Sequence, residues 1–433
     1  MRLRNLFMIL LLCMTVGILG TSCTGDDGAQ GPPGPQGPPG EQGEPGMDIT
    51  SPDSTSEEGC EEFVERIRFS GTSGDDIICG NERGNVINGE EGDDIIFGRE
   101  GNDRLNGNDG DDTLHGGPGD DTLRGNEGED DLNGDAGKDD LHGGNGDDIM
   151  DGGDGDDTFW SFAETDGSDD FVGGGGTDVV NFSMLGLDPS DTDPSDGTTC
   201  LTGDNAPSVT VSLAVGYTEF MDGTEIAATD YYDSIENLVG TCGSDTLTGD
   251  GADNNIMGER GDDTINGGGG DDTIDAGAGQ SEGTLNGGDG MDILVVGAAS
   301  SLADGSGDAA RASNFEGLAV RAGTTTAVSL TAAASGSTLV AGSPAGDTLV
   351  GGAGKDTFVI TKGVGAVTIT GFGTTAGSTD ILVLKGYAAS ASLTRGTTNS
   401  TQLLLGGNVI ATVGDEAAAA IVSAPSTFVV RQD

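Results

Sequence analysis

The sequence predicts an all-β fold in which short parallel strands stack into a solenoid, and three columns of residues indicate it. Between Gly71 and Trp160 the chain divides into ten units of nine residues, each of which begins with glycine. The sixth place is aspartate in nine of these units, and the eighth place is apolar in all ten. A period this strict predicts one supersecondary unit repeated along the chain, with the apolar column as a narrow core.

We number the places of each unit from one to nine, starting at its first glycine. Glycine also fills place four in every unit except the second, where Arg83 stands. Glycines at these places let the backbone take positive φ angles without steric strain, so each unit begins with a tight turn. Places seven to nine then form a short strand. Asn85 is the one exception in the column of aspartates at place six.

The turns have the composition of calcium sites. A tight turn presents backbone carbonyls and place six adds a carboxylate, so each turn offers the all-oxygen ligands that Ca²⁺ prefers. Two carboxylates about 5 Å apart repel by about 3 kcal/mol at an effective dielectric constant of 20. The ten units carry 27 acidic and 5 basic residues. Because the thin apolar column cannot offset this repulsion, we predict that calcium binding and folding are one event.

The candidate calcium ligands are the aspartates at place six, here and wherever the pattern returns. After Trp160 the period slips by three residues, which predicts a bulge in the roll, and the pattern resumes in residues 164–181, 240–296 and 342–359. The predicted metal ligands are Asp76, Asp94, Asp103, Asp112, Asp121, Asp130, Asp139, Asp148, Asp157, Asp169, Asp178, Asp245, Asp263, Asp272, Asp292, Asp347 and Asp356.

These units resemble the RTX (repeats-in-toxin) repeats of exported bacterial proteins. In that family two units form one coil of a parallel β-roll, and each calcium ion lies between one turn and the next but one. The resemblance implies at most about eight such sites in the first ten turns. It also implies weak sites beside the turn that contains Arg83 and Asn85.

The N-terminal residues 1–22 predict a bacterial signal peptide. Basic residues precede a mostly apolar stretch, residues 6–19, which is too short to cross a bilayer comfortably. Residues 20–23 resemble a lipobox whose cysteine, Cys23, is lipidated, although Gly20 stands where leucine is usual. Ordinary cleavage after Ser22 and an uncleaved anchor remain alternatives. We expect membrane contact through the lipid only, because a net charge of −58 excludes binding to nucleic acid or to an anionic bilayer by charge.

Residues 28–46 contain six full Gly-X-Y triplets rich in proline, which resemble a short collagen segment. Two interpretations stay open: a stiff polyproline-II spacer about 60 Å long, or a stalk that forms a homotrimer. Four cysteines remain besides Cys13 and Cys23, and an even number in an exported chain predicts two disulfides. Three pairings exist, of which we favour Cys60–Cys79 and Cys200–Cys242.

The remaining segments complete the expected organisation, which includes β caps at both ends of the solenoid and inserted β-rungs without calcium. We expect a signal peptide (1–22), a lipid attachment site and collagen-like stalk (23–46), a linker and N-terminal cap (47–70), a first array (71–183), an inserted β segment (184–239), a second array (240–296), a second inserted β segment (297–341), a third array (342–359) and a C-terminal β cap (360–433).

An enzymatic function finds little support in the sequence. His115 and His142 both stand at place nine, where we expect them along the roll surface, and neither HExxH nor GxSxG occurs. Trp160 is expected to plug the core. We therefore predict a non-enzymatic, secreted or cell-surface bacterial protein that binds several Ca²⁺ ions and has a structural or adhesive role, its adhesive partner unknown. The alternatives are a calcium-sequestering module and an exported enzyme with its site in the inserted segments.

Overall fold

The computed structural model describes residues 68–161, 167–183, 208–222, 225–275, 277, 283–297, 300–301, 312–321, 324–333, 335–373, 379–387, 393–395, 401–405 and 408–432. The chain divides into two compact units, Met1–Pro45 and Gly46–Asp433, and every described residue lies in the second. The predicted signal peptide, the lipidation site and the collagen-like segment lie outside the described residues.

Each strand of the first array begins at or near place seven of its unit, because places four to six are occupied by the turn. The strands are β1 (Arg68–Ser70), β2 (Ile77–Cys79), β3 (Val86–Glu91), β4 (Ile95–Phe97), β5 (Arg104–Asp109), β6 (Thr113–Pro118), β7 (Thr122–Glu127), β8 (Asp131–Ala136), β9 (Asp140–Asn145), β10 (Ile149–Asp154), β11 (Thr158–Trp160), β12 (Asp170–Gly175) and β13 (Val179–Asn181).

The same pattern continues through the middle of the chain. Its strands are β14 (Thr210–Ser212), β15 (Tyr217–Asp222), β16 (Glu225–Asp233), β17 (Asn237–Val239), β18 (Thr246–Thr248), β19 (Asn255–Met257), β20 (Thr264–Gly269), β21 (Thr273–Asp275), β22 (Leu285–Asp289) and β23 (Ile293–Val296).

The C-terminal part contains strands and also two helices that the sequence did not predict. Its elements are β24 (Ser300–Ser301), β25 (Ala312–Ser313), β26 (Gly317–Val320), β27 (Ser329–Thr331), β28 (Thr338–Ala341), β29 (Thr348–Val350), β30 (Thr357–Thr361), β31 (Val367–Thr370), β32 (Ile381–Lys385), β33 (Leu393–Arg395), β34 (Gln402–Leu405), β35 (Asn408–Thr412), α1 (Asp415–Ser423), α2 (Pro425–Phe428) and β36 (Val429–Gln432). Helix α1 contains a run of alanine, which is the best helix-forming residue. Its side chains Ala418 and Ile421 are buried.

The strands form a parallel β-solenoid, which confirms the predicted fold class. One strand of each coil joins a 16-stranded main sheet, in the order β1-β3-β5-β7-β9-β11-β13-β17-β19-β21-β23-β26-β28-β30-β32-β36. The other strands form three shorter sheets: the second sheet β15-β16-β12-β10-β8-β6-β4-β2, the third sheet β14-β18-β20-β22-β25 and the fourth sheet β24-β27-β29-β31-β35-β34-β33.

The register of the sheets puts identical places of the repeat next to one another. Leu105 pairs with Leu123, 18 residues later, so one coil contains two units. The apolar side chains at place eight therefore form one continuous core, in which residues such as Leu105 and Leu123 are fully buried. At the slip after Trp160, Thr158 pairs with Val179 and the strands keep their register, so the three extra residues lie between the strands, not within one.

The first inserted segment leaves the main sheet intact, since Val179 of β13 pairs directly with Asn237 of β17. Within the insertion, β14 is a parallel rung that pairs with β18, as predicted. Strands β15 and β16 instead form an antiparallel hairpin at the end of the second sheet, which differs from the expected parallel rung. The expectation for Trp160 was also wrong: Phe159 fills the core, and Trp160 lies half-buried on the outer face, stacked on His142.

Candidate calcium sites in the turns

The residues at place six lie in two columns, one on each side of the solenoid. The main column consists of those that precede main-sheet strands, and the opposite column of those that precede the other strands. The main column runs through Asn85, Asp103, Asp121, Asp139, Asp157, Asp178, Glu236, Asn254, Asp272, Asp292, Glu316, Ser337, Asp356 and Asp380. The opposite column contains Asp76, Asp94, Asp112, Asp130, Asp148, Asp169, Asp230, Asp245, Asp263 and Asp347.

Except at Asp76, the first of its column, one carboxylate oxygen of each aspartate links two successive coils. Oδ1 of Asp112 accepts the backbone N–H of Asp94 at 2.7 Å, and Oδ1 of Asp130 accepts the N–H of Asp112 at 2.8 Å. The same bond recurs in the main column, where Oδ1 of Asp121 accepts the N–H of Asp103 at 2.6 Å. The carboxylates are thereby held in fixed positions, one above another.

The second oxygen, Oδ2, is buried and accepts no hydrogen bond in many of these turns. This holds for Asp94, Asp103, Asp112, Asp121, Asp130, Asp139, Asp157, Asp178, Asp272 and Asp292. These residues are at most 2 % exposed. A buried carboxylate oxygen without a partner is costly, so each of these atoms lacks the positive group that would stabilise it.

The backbone of these turns places carbonyl oxygens in the same gap. Place two and place four both have positive φ angles, for example 87° at Asn108 and 138° at Gly110. A Cβ atom on Gly110 would overlap the carbonyl oxygen of Gly92 in the preceding coil, which shows that this carbonyl points between the stacked turns. Carboxylate and carbonyl oxygens together fit the ligand set of Ca²⁺. We call turns with these two positive φ angles open turns.

Burial also shifts the acidity of these carboxyl groups when no cation is present. Desolvation raises the pKa of Asp139 to about 8, against the lowering effect of the Asp121 N–H and with a further increase from the charges of Asp121 and Asp157. Desolvation likewise raises the pKa of Asp94 to about 7 and that of Asp103 to about 6. The metal-free site therefore favours protons, and a divalent cation must compete with them.

A second class of turn has a different hydrogen bond and no positive φ at place two or four. In these closed turns the side-chain oxygen at place six accepts the N–H of place two in its own turn. Asp76 accepts it from Thr72 at 2.6 Å, and Asn85 accepts it from Asn81 at 2.7 Å. The other examples are Asp245 with Thr241, Asn254 with Asp250, Ser337 with Ala333, Asp347 with Ser343 and Asp356 with Gly352.

The predicted ligands thus separate into two groups. Open turns contain Asp94, Asp103, Asp112, Asp121, Asp130, Asp139, Asp148, Asp157, Asp178, Asp263, Asp272 and Asp292. Closed turns contain Asp76, Asp245, Asp347 and Asp356. Asp169 stacks on Asp148, whose N–H donates to its Oδ1 at 3.0 Å, but the first part of its turn lies outside the described residues.

The structure also adds four acids to the columns. Asp230, Glu236, Glu316 and Asp380 each accept the N–H of an aspartate in the preceding coil, at 2.8 to 3.1 Å. A sequence signal exists, because each acid stands two residues before a buried apolar residue. Without the glycines of places one and four, that signal was too short to separate from chance.

Glu236 and Glu316 stand in a shared type of turn where each insertion rejoins the main sheet. The residue two places earlier, Ser234 or Asn314, has a φ angle of 58° in both turns. The residue between them, Ile235 or Phe315, is buried in the core. In these turns the residue before the acid packs into the core, whereas the corresponding residue of an open turn, such as Asp93, is exposed.

No other arrangement in the described part of the chain resembles a metal or catalytic centre. None of its residues form a group of three or more His, Cys, Asp and Glu side chains able to hold a metal. This agrees with sites that take most of their oxygens from the backbone. His115 lies on the second sheet and His142 on the main sheet, so the two do not form a pair. A cavity of about 720 Å³ lies beside Phe97 and His115, in the first array and outside the insertions.

Cys79 and Cys242 are both disulfide-bonded. They do not bond to each other, because they lie near strands β2 and β17, many coils apart. Their partners, and with them Cys60 and Cys200, lie outside the described residues, so the predicted pairing stays a prediction. Among the described residues no helix is long and apolar enough to span a membrane.

The fold and its turns define a class of protein, a parallel β-solenoid whose stacked turns present oxygen ligands for calcium. The family model of the RTX calcium-binding nonapeptide repeat, which spans four copies, matches residues 70–105, 106–141, 133–161, 232–261, 248–281 and 334–359. The chain therefore contains RTX calcium-binding nonapeptide repeats, which form a structural calcium-binding fold. The comparison with curated proteins finds no match.

Proposed function

We propose that the chain is an extracellular or cell-surface bacterial protein that folds on calcium binding and then acts as a structural or adhesive module, not as an enzyme. The observation that carries this proposal is the series of buried, unpartnered Oδ2 atoms in consecutive coils. Carboxylate and carbonyl oxygens both point into the gap between two stacked open turns. A bound Ca²⁺ ion there replaces repulsion between stacked carboxylates by attraction, which couples metal binding to folding.

The N-terminal residues and the cysteines extend the proposal. Lipidation at Cys23 would attach the protein to the outer membrane surface, and residues 28–46 would hold the solenoid away from it as a spacer or a trimeric stalk. Mass spectrometry of the N-terminal peptide tests the lipid. Mass spectrometry of non-reduced peptides tests the Cys60–Cys79 and Cys200–Cys242 pairing.

A calcium titration of the full chain, followed by far-UV circular dichroism, tests the coupling between binding and folding. We expect a cooperative gain of β signal with Ca²⁺ and none with Mg²⁺, which requires a tighter octahedral shell than these turns offer. A chain whose first array is already folded in chelator would contradict the proposal.

A matched pair of variants makes the test specific. Replacing Asp103, Asp121 and Asp139 by asparagine removes three buried ligands of the main column and should raise the calcium concentration needed for folding. Replacing Asp93, Asp111 and Asp120 by asparagine removes the same charge from exposed positions at place five. The second variant should fold at nearly the wild-type calcium concentration, and equal shifts in both would show that only net charge matters.

A further inference from the structure

The third array matches the family model of the calcium-binding repeat but differs from the first array in its turns. Residues 334–359 match the model, and Asp347 and Asp356 occupy place six as in the other arrays. Both turns are closed, however, and neither has a positive φ angle at place two or place four.

The carboxylates of these turns are satisfied by the protein itself. Oδ1 of Asp347 accepts the N–H of Val328 at 2.9 Å, and its Oδ2 accepts those of Gly342 at 3.0 Å and Ser343 at 2.9 Å. Oδ1 of Asp356 accepts the N–H of Ser337 at 2.8 Å, and its Oδ2 accepts that of Gly352 at 2.7 Å. A calcium ion at either carboxylate would have to displace these donors.

The neighbouring coils continue the same arrangement. In the coil before, Ser337 stands at place six and its Oγ accepts the N–H of Ala333 at 2.9 Å, so a neutral side chain closes that turn. In the coil after, Asp380 accepts the N–H of Asp356 at 2.8 Å on Oδ1 and that of Gly373 at 2.6 Å on Oδ2.

Charge and core composition change at the same point. Within residues 329–385 the acids Asp347, Asp356 and Asp380 are balanced by Lys355, Lys362 and Lys385. The core also gains a second buried apolar residue in several strands, such as Ile360 after Phe358 and Leu384 after Leu382. This part of the solenoid has no excess of negative charge to neutralise and has more apolar surface to hold it together.

We propose that residues 329–385, including the third array, fold without calcium and bind none, because hydrogen bonds within their own closed turns take the place of the ion. The proposal rests on the calcium-dependent folding proposed above for the first array. It divides the solenoid into an ion-dependent part and an ion-independent part joined by the continuous main sheet.

Counting the ions bound per full chain by equilibrium dialysis tests the proposal. Asp121→Asn and Asp356→Asn are a matched pair, because both aspartates precede threonine and a buried apolar residue and both belong to the main column. Asp121→Asn is expected to remove about one or two ions, since its carboxylate borders two gaps. Asp356→Asn should leave the number unchanged, and an equal loss in both variants would overturn the proposal.

Hydrogen exchange of the wild-type full chain tests the proposal without a substitution, so it still applies if Asp356→Asn does not fold. In chelator we expect protected amides in strands β29 to β32 and rapid exchange in β5 to β10, with calcium protecting the latter. Exchange of β29 to β32 that slows only with calcium would overturn the proposal. Protection of β5 to β10 in chelator would instead contradict calcium-dependent folding of the first array. Different peptides therefore report the failure of each of the two proposals.

Discussion

Asp112 shows how one side chain serves two neighbouring coils. Its Oδ1 atom accepts the N–H of Asp94, while its buried Oδ2 atom lies against the bare Cα of Gly107 without a hydrogen-bond donor. Aspartate is short enough to reach the preceding coil without leaving its own turn. The absence of a Cβ at place one leaves the room that this second oxygen occupies, since a Cβ on Gly107 would overlap it.

Glycine at place four has a positive φ angle in every open turn and in no closed turn. In Gly110→Ala the methyl group would overlap the Gly92 carbonyl, and the φ angle of 138° is one that alanine rarely adopts. We expect the calcium-bound chain to lose about 1–3 kcal/mol of unfolding free energy, measured by urea denaturation in calcium.

Gly74→Ala is the control, because Gly74 is also at place four in the same column, but in a closed turn. Nothing lies within 4 Å of its added Cβ, and its φ is not positive. This variant should be as stable as the wild type. Equal losses in both variants would show that the two classes of turn do not differ in solution.

The raised pKa values of the open-turn aspartates give a pH dependence with a definite sign. Because the pKa of Asp139 rises to about 8 and that of Asp121 to about 7, the metal-free folded chain binds more protons than the unfolded chain between pH about 4 and 8. Acidification through this window should therefore stabilise the metal-free fold and weaken calcium binding.

Circular dichroism in chelator and calcium titrations, each at pH 8 and pH 6, measure both effects. We expect more β signal in chelator at pH 6, together with weaker binding of calcium to the folded chain. Tighter calcium binding at pH 6 would contradict the burial of these carboxylates.

At the scale of elements, the order of turns along each column explains where the arrays begin. The first turn of each column in the first and second arrays is closed, at Asp76, Asn85, Asp245 and Asn254. These turns have no open turn before them with which to share an ion. The place-six side chain instead accepts a hydrogen bond from the backbone N–H of place two in its own turn. An open turn is therefore a property of a stack and not of one unit.

An ion pair joins the second array to Arg321, which directly follows strand β26 within the second inserted segment. Nε of Arg321 lies 2.8 Å from both carboxylate oxygens of Asp275, and Nη2 donates to the Gly277 carbonyl at 2.5 Å. The side chains are 26 % and 9 % exposed. In Arg321→Lys the bidentate geometry is lost, and we expect a loss of about 1–2 kcal/mol of unfolding free energy in saturating calcium.

Arg104→Lys is the control for this prediction, because Arg104 is an exposed arginine on the same main sheet. Its unfolding free energy, measured by the same urea denaturation, should be unchanged. A wild-type value for Arg321→Lys would mean that the contact contributes nothing to the join between β21 and β26.

At the scale of the molecule, two kinds of acid contribute to the net charge of −58. Those at place five, such as Asp93 and Asp111, are exposed, whereas the place-six aspartates of the open turns are buried. Salt at about 1 M shortens the screening length to about 3 Å and weakens repulsion between exposed charges only. We therefore expect that 1 M NaCl in chelator does not produce the β signal that calcium produces.

Circular dichroism with NaCl, and with CaCl₂ at matched ionic strength, separates screening from binding. Folding in NaCl alone would mean that the exposed acids dominate the repulsion. The buried Oδ2 atoms would then be secondary.

The sequence predicted the fold class and the positions of most aspartates in the two columns, because the repeat of nine residues specifies both. It missed Glu236 and Glu316, since their turns lack the glycines and use a buried Ile235 or Phe315. It missed helix α1, which forms on a short run of alanine at the end of the chain. It placed Trp160 in the core, although strand alternation from Phe159 points it outward.

The sequence by itself determined the solenoid, its apolar core and its preference for calcium, because each follows from the residue pattern of the nine-residue repeat. Only the tertiary structure decided which turns are open and which are closed. Whether a turn is open depends on the turn next to it in the stack, which lies 18 or more residues away in sequence. An open neighbour contributes the remaining oxygens of a shared calcium site, and a closed neighbour does not. Asp121 and Asp356 share glycine at places one, two and four and threonine at place seven, yet only Asp356 accepts an N–H from its own turn.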